Sequence, residues 1–257
     1  MSATVSSPVV NQPAGSAGSV PMVRDLEPLF CPKSVAVVGA SRNPGTVGNA
    51  ILQNLIYGGF TGVVYPVNPK TKSITGVRCA PSLSAIDDHI DLVVVIVPAT
   101  GVEAVVQEAA DKGTKHLIVI SAGFKEVGGE GVEREKRLKA LAQERGLSIL
   151  GPNCLGLINT DPKVRLNAAF GGEMPKAGSL GLISQSGALA ASLLDYAKGR
   201  HVGFSRFISF GNKADLNEID LLTNLGNDPN TRVILMYIED LTDGQAFVNA
   251  AYRITHG

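Results

Sequence analysis

The first residues with clear chemical potential form a glycine-rich turn between an apolar run and a helical pattern. The run Val35–Val38 stops at Gly39, and the apolar spacing of a helix begins near Thr46 and continues past Gly48. Glycines let backbone N–H groups approach a phosphate closely, and the helix N-terminus adds its positive dipole. A plain strand-to-helix turn is the alternative interpretation. We predict an anion site at this turn, with these residues as ligands: Gly39, Ser41, Arg42, Asn43 and Gly45.

The end of the next apolar run bears on which nucleotide is bound. In NAD-binding folds, an acid at the end of the second strand binds the ribose hydroxyls. Here Val63–Val67 is followed by Asn68, Pro69 and Lys70, and the glycine spacing is not G-x-G-x-x-G. Both departures argue against NAD and favour a phosphate-rich adenine nucleotide. Val67 and the three residues after it are added to the predicted site, although Lys70 alone could be a solvated loop charge.

Three further strand ends are predicted to reach the same nucleotide crevice. Ligands of parallel sheets bind beyond the carboxyl ends of the strands, and each of these ends offers small residues and free backbone groups. Each segment alone is more typical of a turn, and only their agreement favours a site. The residues are Val97, Pro98, Ser121, Ala122, Gly123 and Asn153.

A second strand-to-helix turn follows later in the chain and predicts a phosphate site. Ser184, Gln185, Ser186 and Gly187 join an apolar run to a helical pattern, so hydroxyls, backbone N–H groups and a helix dipole converge. The competing interpretation is the nucleophile elbow of a hydrolase. That elbow needs glycines two residues before and after the serine, whereas Ser186 has Ser184 and Ala188 there.

One acidic residue and four histidines are the other side chains that could take part in a reaction. Glu239 ends an apolar run, where a carboxylate could orient an imidazole or accept a proton, although a surface acid is common there. The histidines are His89, His116, His201 and His256, and they show no metal-ligand spacing. We therefore predict no metal site.

Alternating strand and helix patterns must position these residues. The pattern predicts a doubly wound α/β domain over residues 25–150. It predicts a second α/β domain over residues 151–257, after a connecting stretch rich in Gly and Pro. Residues 1–24 are predicted to be a disordered leader. The first five strands are predicted at Val35–Val38, Val63–Val67, Leu92–Val97, Leu117–Ile120 and Leu147–Leu150. The second domain is predicted to hold three parallel strands, at Leu180–Ser184, Phe204–Ser209 and Val233–Ile238.

Composition limits the classes of function. The 23 basic and 23 acidic residues give a net charge of zero, so no basic surface argues for nucleic acid. No apolar stretch reaches membrane-spanning length. Three widely separated cysteines, Cys31, Cys79 and Cys154, suit neither a disulfide framework nor zinc, which favours a reducing cytoplasm.

With these residues in view, the chain resembles the CoA-binding subunit or segment of NDP-forming acyl-CoA synthetases. That family includes ADP-forming acetyl-CoA synthetase and is similar to the succinyl-CoA synthetase α subunit. The resemblance covers nearly the whole chain from about Leu26. The segments that carry it are Pro32–Ser41, Tyr65–Pro69, Val97–Ala99, Ser121–Phe124, Gly151–Cys154, Ile183–Leu189 and Gly211–Asp215.

The resemblance implies a Rossmann-like CoA-binding domain followed by a flavodoxin-like domain. It implies a reaction in which acyl-CoA, ADP and phosphate give free acid, CoA and ATP, through an acyl phosphate and a phosphohistidine. The turn Ser184–Gly187 matches the family's phosphate-binding helix start, and Glu239 matches the glutamate that supports the phosphohistidine. ATP, ADP and Mg are expected only on a nucleotide-grasp (ATP-grasp) domain or β subunit, in an enzyme that is an oligomer.

One departure from the family pattern affects activity. The family's phosphorylated histidine lies in a His-Thr-Gly or His-Ala-Gly loop, one strand beyond the last helix predicted here. We assign no such role to His256, and we expect a fragment that binds CoA without turnover. A CoA-sensing regulatory module fused to an acetyltransferase is the alternative, and an NAD-linked oxidoreductase is disfavoured by the missing acid after Val67.

Overall fold

A computed structural model describes residues 24–256 of the chain. The predicted leader, apart from Arg24, lies outside the described residues. Two five-stranded sheets and seven helices make up most of the described part. No helix within residues 24–256 combines the length and apolar composition needed to cross a membrane.

The first sheet is parallel throughout, as the unbroken Val- and Ile-rich runs predict. Its strands stand in the order β2-β1-β5-β6-β7, so the order reverses between β1 and β5. Ligands of such sheets bind at that reversal. The strands are β1 (Ser34–Val38), β2 (Val63–Val67), β5 (Leu92–Val95), β6 (His116–Val119) and β7 (Ser148–Leu150). A small antiparallel pair, β3 (Ser73–Ile74) and β4 (Val77–Arg78), lies between β2 and β5 in sequence.

Both faces of the first sheet are buried, as in a doubly wound fold. Successive side chains of β1 point to opposite sides, so Val35 and Val37 belong to one apolar cluster and Ala36 and Val38 to another. Helix α2 packs in the first cluster, and α3 and α4 pack in the second. The first helices are α1 (Glu27–Phe30), α2 (Val47–Tyr57), α3 (Ala99–Asp111) and α4 (Glu130–Arg145).

The second sheet is mixed: its three predicted strands are parallel to one another, as expected, and two antiparallel strands that were not predicted complete it. Its order is β12-β10-β11-β8-β9, with β8 and β9 antiparallel to their neighbours. The strands are β8 (Gly156–Asn159), β9 (Leu166–Ala169), β10 (Ala177–Ser184), β11 (Phe204–Ser209) and β12 (Val233–Tyr237). The remaining helices are α5 (Gly187–Arg200), α6 (Glu218–Gly226) and α7 (Gly244–His256).

Strands β8 and β9 were missed because each has four residues, all of them buried, and neither shows the alternation that marks a strand. Gly156, which reads as a breaker, is required within the pair. It has a φ of +106°, and a Cβ there would lie 2.1 Å from the Ala168 carbonyl oxygen. The supposed connecting stretch therefore contributes two strands and part of the core.

The two sheets share one apolar core, and a row of backbone hydrogen bonds between residues 211–216 and residues 149–152, here called the seam, joins them. The cluster containing Val35 also holds Leu157, Leu166 and Ile208 of the second sheet. The segment after β11 runs along the end of β7, where Ala214 N–H donates to the Gly151 carbonyl at 3.0 Å. Neighbouring bonds join Asn212 N–H to Pro152 O and Leu216 N–H to Ile149 O. The residues at the two sheet edges are thus held at fixed relative positions.

Candidate functional site

A cavity of about 890 Å³ lies where the carboxyl ends of the first sheet face the start of α5. It is lined from both halves of the chain. Predicted site residues in its wall are Val97, Pro98, Ser121, Ala122, Asn153, Gln185, Ser186, Gly187 and Glu239. Segments far apart in sequence therefore meet around one space, large enough for a drug-sized ligand.

Ten predicted residues of the first half of the chain lie outside the cavity wall. They are Gly39, Ser41, Arg42, Asn43, Gly45, Val67, Asn68, Pro69, Lys70 and Gly123, and none of these described residues is part of the cavity wall. Val47, the first residue of α2, is part of the wall. The turn before α2 thus opens directly onto one end of the cavity.

The turn from Gly39 to Gly48 is close-packed against backbone. Gly39 has a φ of +95°, and a Cβ on it would lie 2.8 Å from the Ile96 carbonyl oxygen. A Cβ on Gly48 would lie 2.1 Å from the Gly39 carbonyl oxygen. Only glycine fits either position, and the helix start is thereby brought against the end of β1.

The backbone donors at the start of α2 are free. Within residues 24–256, the N–H groups of Val47 and Gly48 donate to no protein acceptor. The Thr46 hydroxyl donates to the Asn43 carbonyl at 2.8 Å and does not cap the helix. Such a helix start offers unpaired donors and positive potential to an anion.

The loop after β2 is tied to this turn. Asn68 Nδ2 donates to the Ala40 carbonyl at 2.7 Å, and Asn68 Oδ1 accepts from Lys70 N–H at 2.8 Å. Asn68 therefore holds two loops together, so its side chain is less available to a ligand than the sequence suggested. The side chains of Lys70 and Arg42 are exposed beside it.

The turn before α5 uses its two serines differently. Ser184 has no exposed surface, and its hydroxyl donates to the Ser186 carbonyl at 2.8 Å, so it shapes the turn and does not face the cavity. Ser186 is the N-cap, and its Oγ accepts from Leu189 N–H at 3.3 Å. Within the described residues, the N–H groups of Gly187 and Ala188 have no protein acceptor.

Gln185 links the ends of β10 and β12. Its Oε1 accepts from Glu239 N–H at 2.9 Å, and its Nε2 donates to Asp240 Oδ1 at 2.5 Å. The bond from Gln185, together with the nearby Lys213, lowers the pKa of Asp240. The Gln185 side chain thus fixes the backbone beneath Glu239, whose own carboxylate is exposed at the cavity.

Three charged or amide side chains of the cavity wall were not predicted: Lys125, Glu126 and Asn212. Asn212 Nδ2 donates to Glu126 Oε2 at 2.6 Å and so bridges the two sheets. Burial acts to raise the pKa of Glu126, but hydrogen bonds from Asn212 and from the N–H groups of Gly123 and Phe124 outweigh it, and the pKa is lowered. The motif Gly211–Asp215 was a signal for Asn212, whereas nothing local to Glu126 marks it.

The cavity wall beside α5 is apolar. It includes Leu155 and Phe170, together with Cys154, which is almost fully buried. Burial raises the pKa of the Cys154 thiol to about 12, so it is not a nucleophile at neutral pH. Within residues 24–256, no group of three or more His, Cys, Asp or Glu side chains could hold a metal ion.

Two family models match the chain. The model described as a CoA binding domain matches residues 33–160, and the model described as a succinyl-CoA ligase like flavodoxin domain matches residues 177–257. The first covers the parallel sheet together with β8, and the second covers β10 to α7. Both cavity ends lie within the matched residues.

Curated proteins and solved structures give similar matches. The ADP-forming acetate–CoA ligase I of Archaeoglobus fulgidus is 45% identical over 89% of this chain and 33% of the relative. The α subunit of the ADP-forming acetate–CoA ligase I of Pyrococcus furiosus is 44% identical over 90% of this chain and 50% of the relative. The acetyl-coenzyme A synthetase 1 of Candidatus Korarchaeum cryptofilum, solved with phosphate and ADP, matches with a TM-score of 0.86 at 42% identity, over 90% of this chain and 49% of that one. The chain spans between a third and a half of the length of these relatives.

Proposed function

The chain belongs to the family of NDP-forming acyl-CoA synthetases, and from this premise we propose that it is the CoA-binding part of an ADP-forming acetyl-CoA synthetase. The reaction of the whole enzyme converts acyl-CoA, ADP and phosphate into acid, CoA and ATP. This chain supplies the sites for CoA and phosphate. The names of the similar proteins, which are acid–CoA ligases, support the reaction type.

One observation carries the proposal: a single cavity joins two helix starts with free N–H donors. Val47 lines it at α2 and Gly187 lines it at α5. CoA is an elongated ligand with a phosphorylated nucleotide at one end and a thiol at the other, and a thin amide chain between them. A cavity lined by two helix starts suits that ligand, because one start can bind the nucleotide phosphates and the other is left for phosphate near the thiol.

At the first end, the nucleotide of CoA lies over the turn Gly39–Gly48. The N–H groups of Val47 and Gly48 receive the diphosphate, and the exposed cations Arg42 and Lys70 attract the ribose phosphate. Asn68 holds this arrangement through its bond to Ala40 O.

At the second end, phosphate binds at the start of α5. The N–H groups of Gly187 and Ala188 and the hydroxyl of Ser186 are its donors, while Ser184 and Gln185 shape the turn behind them. Glu239 lines the same cavity, and its carboxylate is the group proposed to orient a phosphorylated histidine. No metal is needed for an oxyanion held by backbone donors and a helix dipole.

The phosphoryl-carrying histidine is not His256. That ring stacks on Tyr252 with centroids 4.2 Å apart, and its Nδ1 lies 3.1 Å from the Tyr252 carbonyl oxygen in the last turn of α7. It does not line the cavity. We propose that ATP, ADP and Mg bind to an ATP-grasp domain or β subunit, since a similar Pyrococcus protein is called an α subunit.

We further propose that the chain divides functionally near residue 150. Residues 25–150 form the Rossmann-like CoA-binding domain, and residues 151–257 form the flavodoxin-like phosphate-handling domain. The support is the separate pairing of the two sheets. An oligomeric assembly and a cytoplasmic location complete the proposal; the location is supported by three free cysteines.

Calorimetric titration of the chain tests the proposal. CoA should bind more tightly than dephospho-CoA, and far more tightly than NAD. Lys70→Glu should weaken the binding of CoA by about 1–3 kcal/mol, because the lost contact is to the ribose phosphate. The binding of dephospho-CoA, which lacks that phosphate, should be weakened by less. Lys139→Glu on the exposed side of α4 is the matched control and should leave CoA affinity unchanged. Equal or tighter binding of NAD would contradict the proposal.

A further inference from the structure

One side chain in the cavity is large, apolar and only partly covered. Phe170 retains 36% of its surface, although the other phenylalanines of the core are almost fully buried. It follows β9 directly, and its N–H donates to the Leu155 carbonyl at 3.2 Å. An aromatic ring left open on a cavity wall is a contact surface for an apolar part of a ligand.

The turn that carries Phe170 is fixed on both sides of the ring. Asn54 of α2 donates through Nδ2 to the Ala169 carbonyl at 2.7 Å and to the Gly172 carbonyl at 3.1 Å. Asn167 Nδ2 also donates to Gly172 O at 3.2 Å. The backbone on both sides of Phe170 is therefore held by hydrogen bonds from α2 and from β9.

The ring stands beside the phosphate end of the cavity. Leu155 links the two, because a Cβ on Gly187 would lie 3.4 Å from Leu155 Cγ and one on Gly171 would lie 3.5 Å from Leu155 Cδ1. The start of α5 thus has polar donors on one side and the apolar pair Leu155 and Phe170 on the other. A reacting acyl group requires this combination: donors for its carbonyl or phosphate oxygens and an apolar wall for its chain.

We propose that Phe170, backed by Leu155, contacts the acyl group of acyl-CoA and limits the length of the chain that is accepted. The inference rests on the proposed function, since it places the reactive end of CoA at the start of α5. Phe170 forms part of the wall around the acyl group, and Val47 at the start of α2 contacts the nucleotide part of the ligand instead.

Titration of a set of thioesters tests this role. CoA, acetyl-CoA, butyryl-CoA and hexanoyl-CoA are titrated into the chain and into Phe170→Ala. Each newly accommodated methylene contributes a factor of roughly four in affinity. The variant should therefore favour butyryl-CoA, with its two additional methylenes, over acetyl-CoA by roughly sixteenfold more than the wild type does, and hexanoyl-CoA by more still. Phe170→Leu keeps an apolar core contact and should show a smaller shift in the same direction.

Val47→Ala is the matched control, since it removes an apolar group from the other end of the same cavity. It should change the affinity of all four ligands by the same factor. An unchanged ratio of acyl affinities in Phe170→Ala and Phe170→Leu, with CoA still bound, would overturn the inference and leave the proposed function intact. Failure of the wild-type chain to bind CoA would instead contradict the proposed function and the inference with it.

Discussion

Single residues at the cavity serve both the fold and the ligand, and Ser186 shows how the two roles can be separated. Its hydroxyl accepts from Leu189 N–H and caps α5, while the same oxygen can donate its proton into the cavity. Ser186→Ala removes this hydroxyl and with it both roles. Because the helix cap is lost, we expect Ser186→Ala to lower the free energy of unfolding by about 0.5–2 kcal/mol, measured by urea unfolding.

Ser186→Asp distinguishes the cap from the anion site. Aspartate is as good an N-cap as serine, so stability should be preserved, but its charge repels phosphate from the cavity. Calorimetry should show a lower affinity for phosphate in both Ser186→Ala and Ser186→Asp. Urea unfolding should show a loss of stability only in the alanine variant. Phosphate affinity unaffected by aspartate would contradict the assignment of this turn.

Glu126 is a single carboxyl group that is expected to make the stability of the folded chain depend on pH in the acid range. Its pKa is lowered in the folded state, so the stabilisation it provides is present above its ordinary pKa of 4.5 and is lost as the pH falls through the lower folded value. Glu126→Gln should therefore flatten the fall of the urea midpoint on acidification. Glu130→Gln, at a side chain with 96% of its surface exposed, is the control. An unchanged slope in Glu126→Gln would contradict this account.

At the scale of elements, the loop after β12 is held by a buried ion pair. Lys213 Nζ lies 3.1 Å from Glu218 Oε2 and 3.1 Å from Asp240 Oδ1, and Glu218 has no exposed surface. Glu218 Oε1 also accepts from Thr242 N–H at 2.6 Å. The loop that carries Glu239 is thus anchored to the start of α6.

Removing one partner of this pair should be costly. Lys213→Met leaves the buried Glu218 carboxylate without its cation, and we expect a loss of about 3–5 kcal/mol in the free energy of unfolding. Adding Glu218→Gln should recover about 0.5–3 kcal/mol, since the uncompensated charge is removed. Strictly additive losses in a double-mutant cycle would show that the two side chains do not interact.

The elements that the sequence predicted well are those with strong apolar runs. β2 and β11 were predicted with the bounds that the structure gives. The run Leu92–Val97 was predicted two residues too long, because Pro98 already caps α3 and the chain leaves the sheet after Val95. Glu126 escaped prediction because no local pattern marks it, and its contact with Asn212 forms only where the two sheets meet.

At the scale of the whole molecule, the account depends on the two sheets behaving as one unit. Gly211 lies in the seam with a φ of +57°, and a Cβ there would lie 2.3 Å from the Pro152 carbonyl oxygen and 2.4 Å from that of Asn153. Gly211→Ala should therefore separate the seam, destabilise the chain by about 1–3 kcal/mol and weaken CoA binding.

Gly199→Ala is the matched control for the seam. Gly199 lies within α5, and a Cβ there meets nothing within 4 Å, so alanine should raise stability by about 0.5–1 kcal/mol. Both variants can be followed by thermal and urea unfolding with a CoA titration. CoA affinity retained in a destabilised Gly211→Ala would mean that the seam does not position the cavity.

The most direct test of the central claim is a crystal structure of the chain with CoA and phosphate. The account predicts the diphosphate over the turn Gly39–Gly48, the amide chain running through the cavity past Asn153, and the sulfur beside the start of α5. Phosphate should accept from the N–H groups of Gly187 and Ala188. CoA bound outside the cavity, or a start of α5 that binds no phosphate at saturating concentration, would contradict the account.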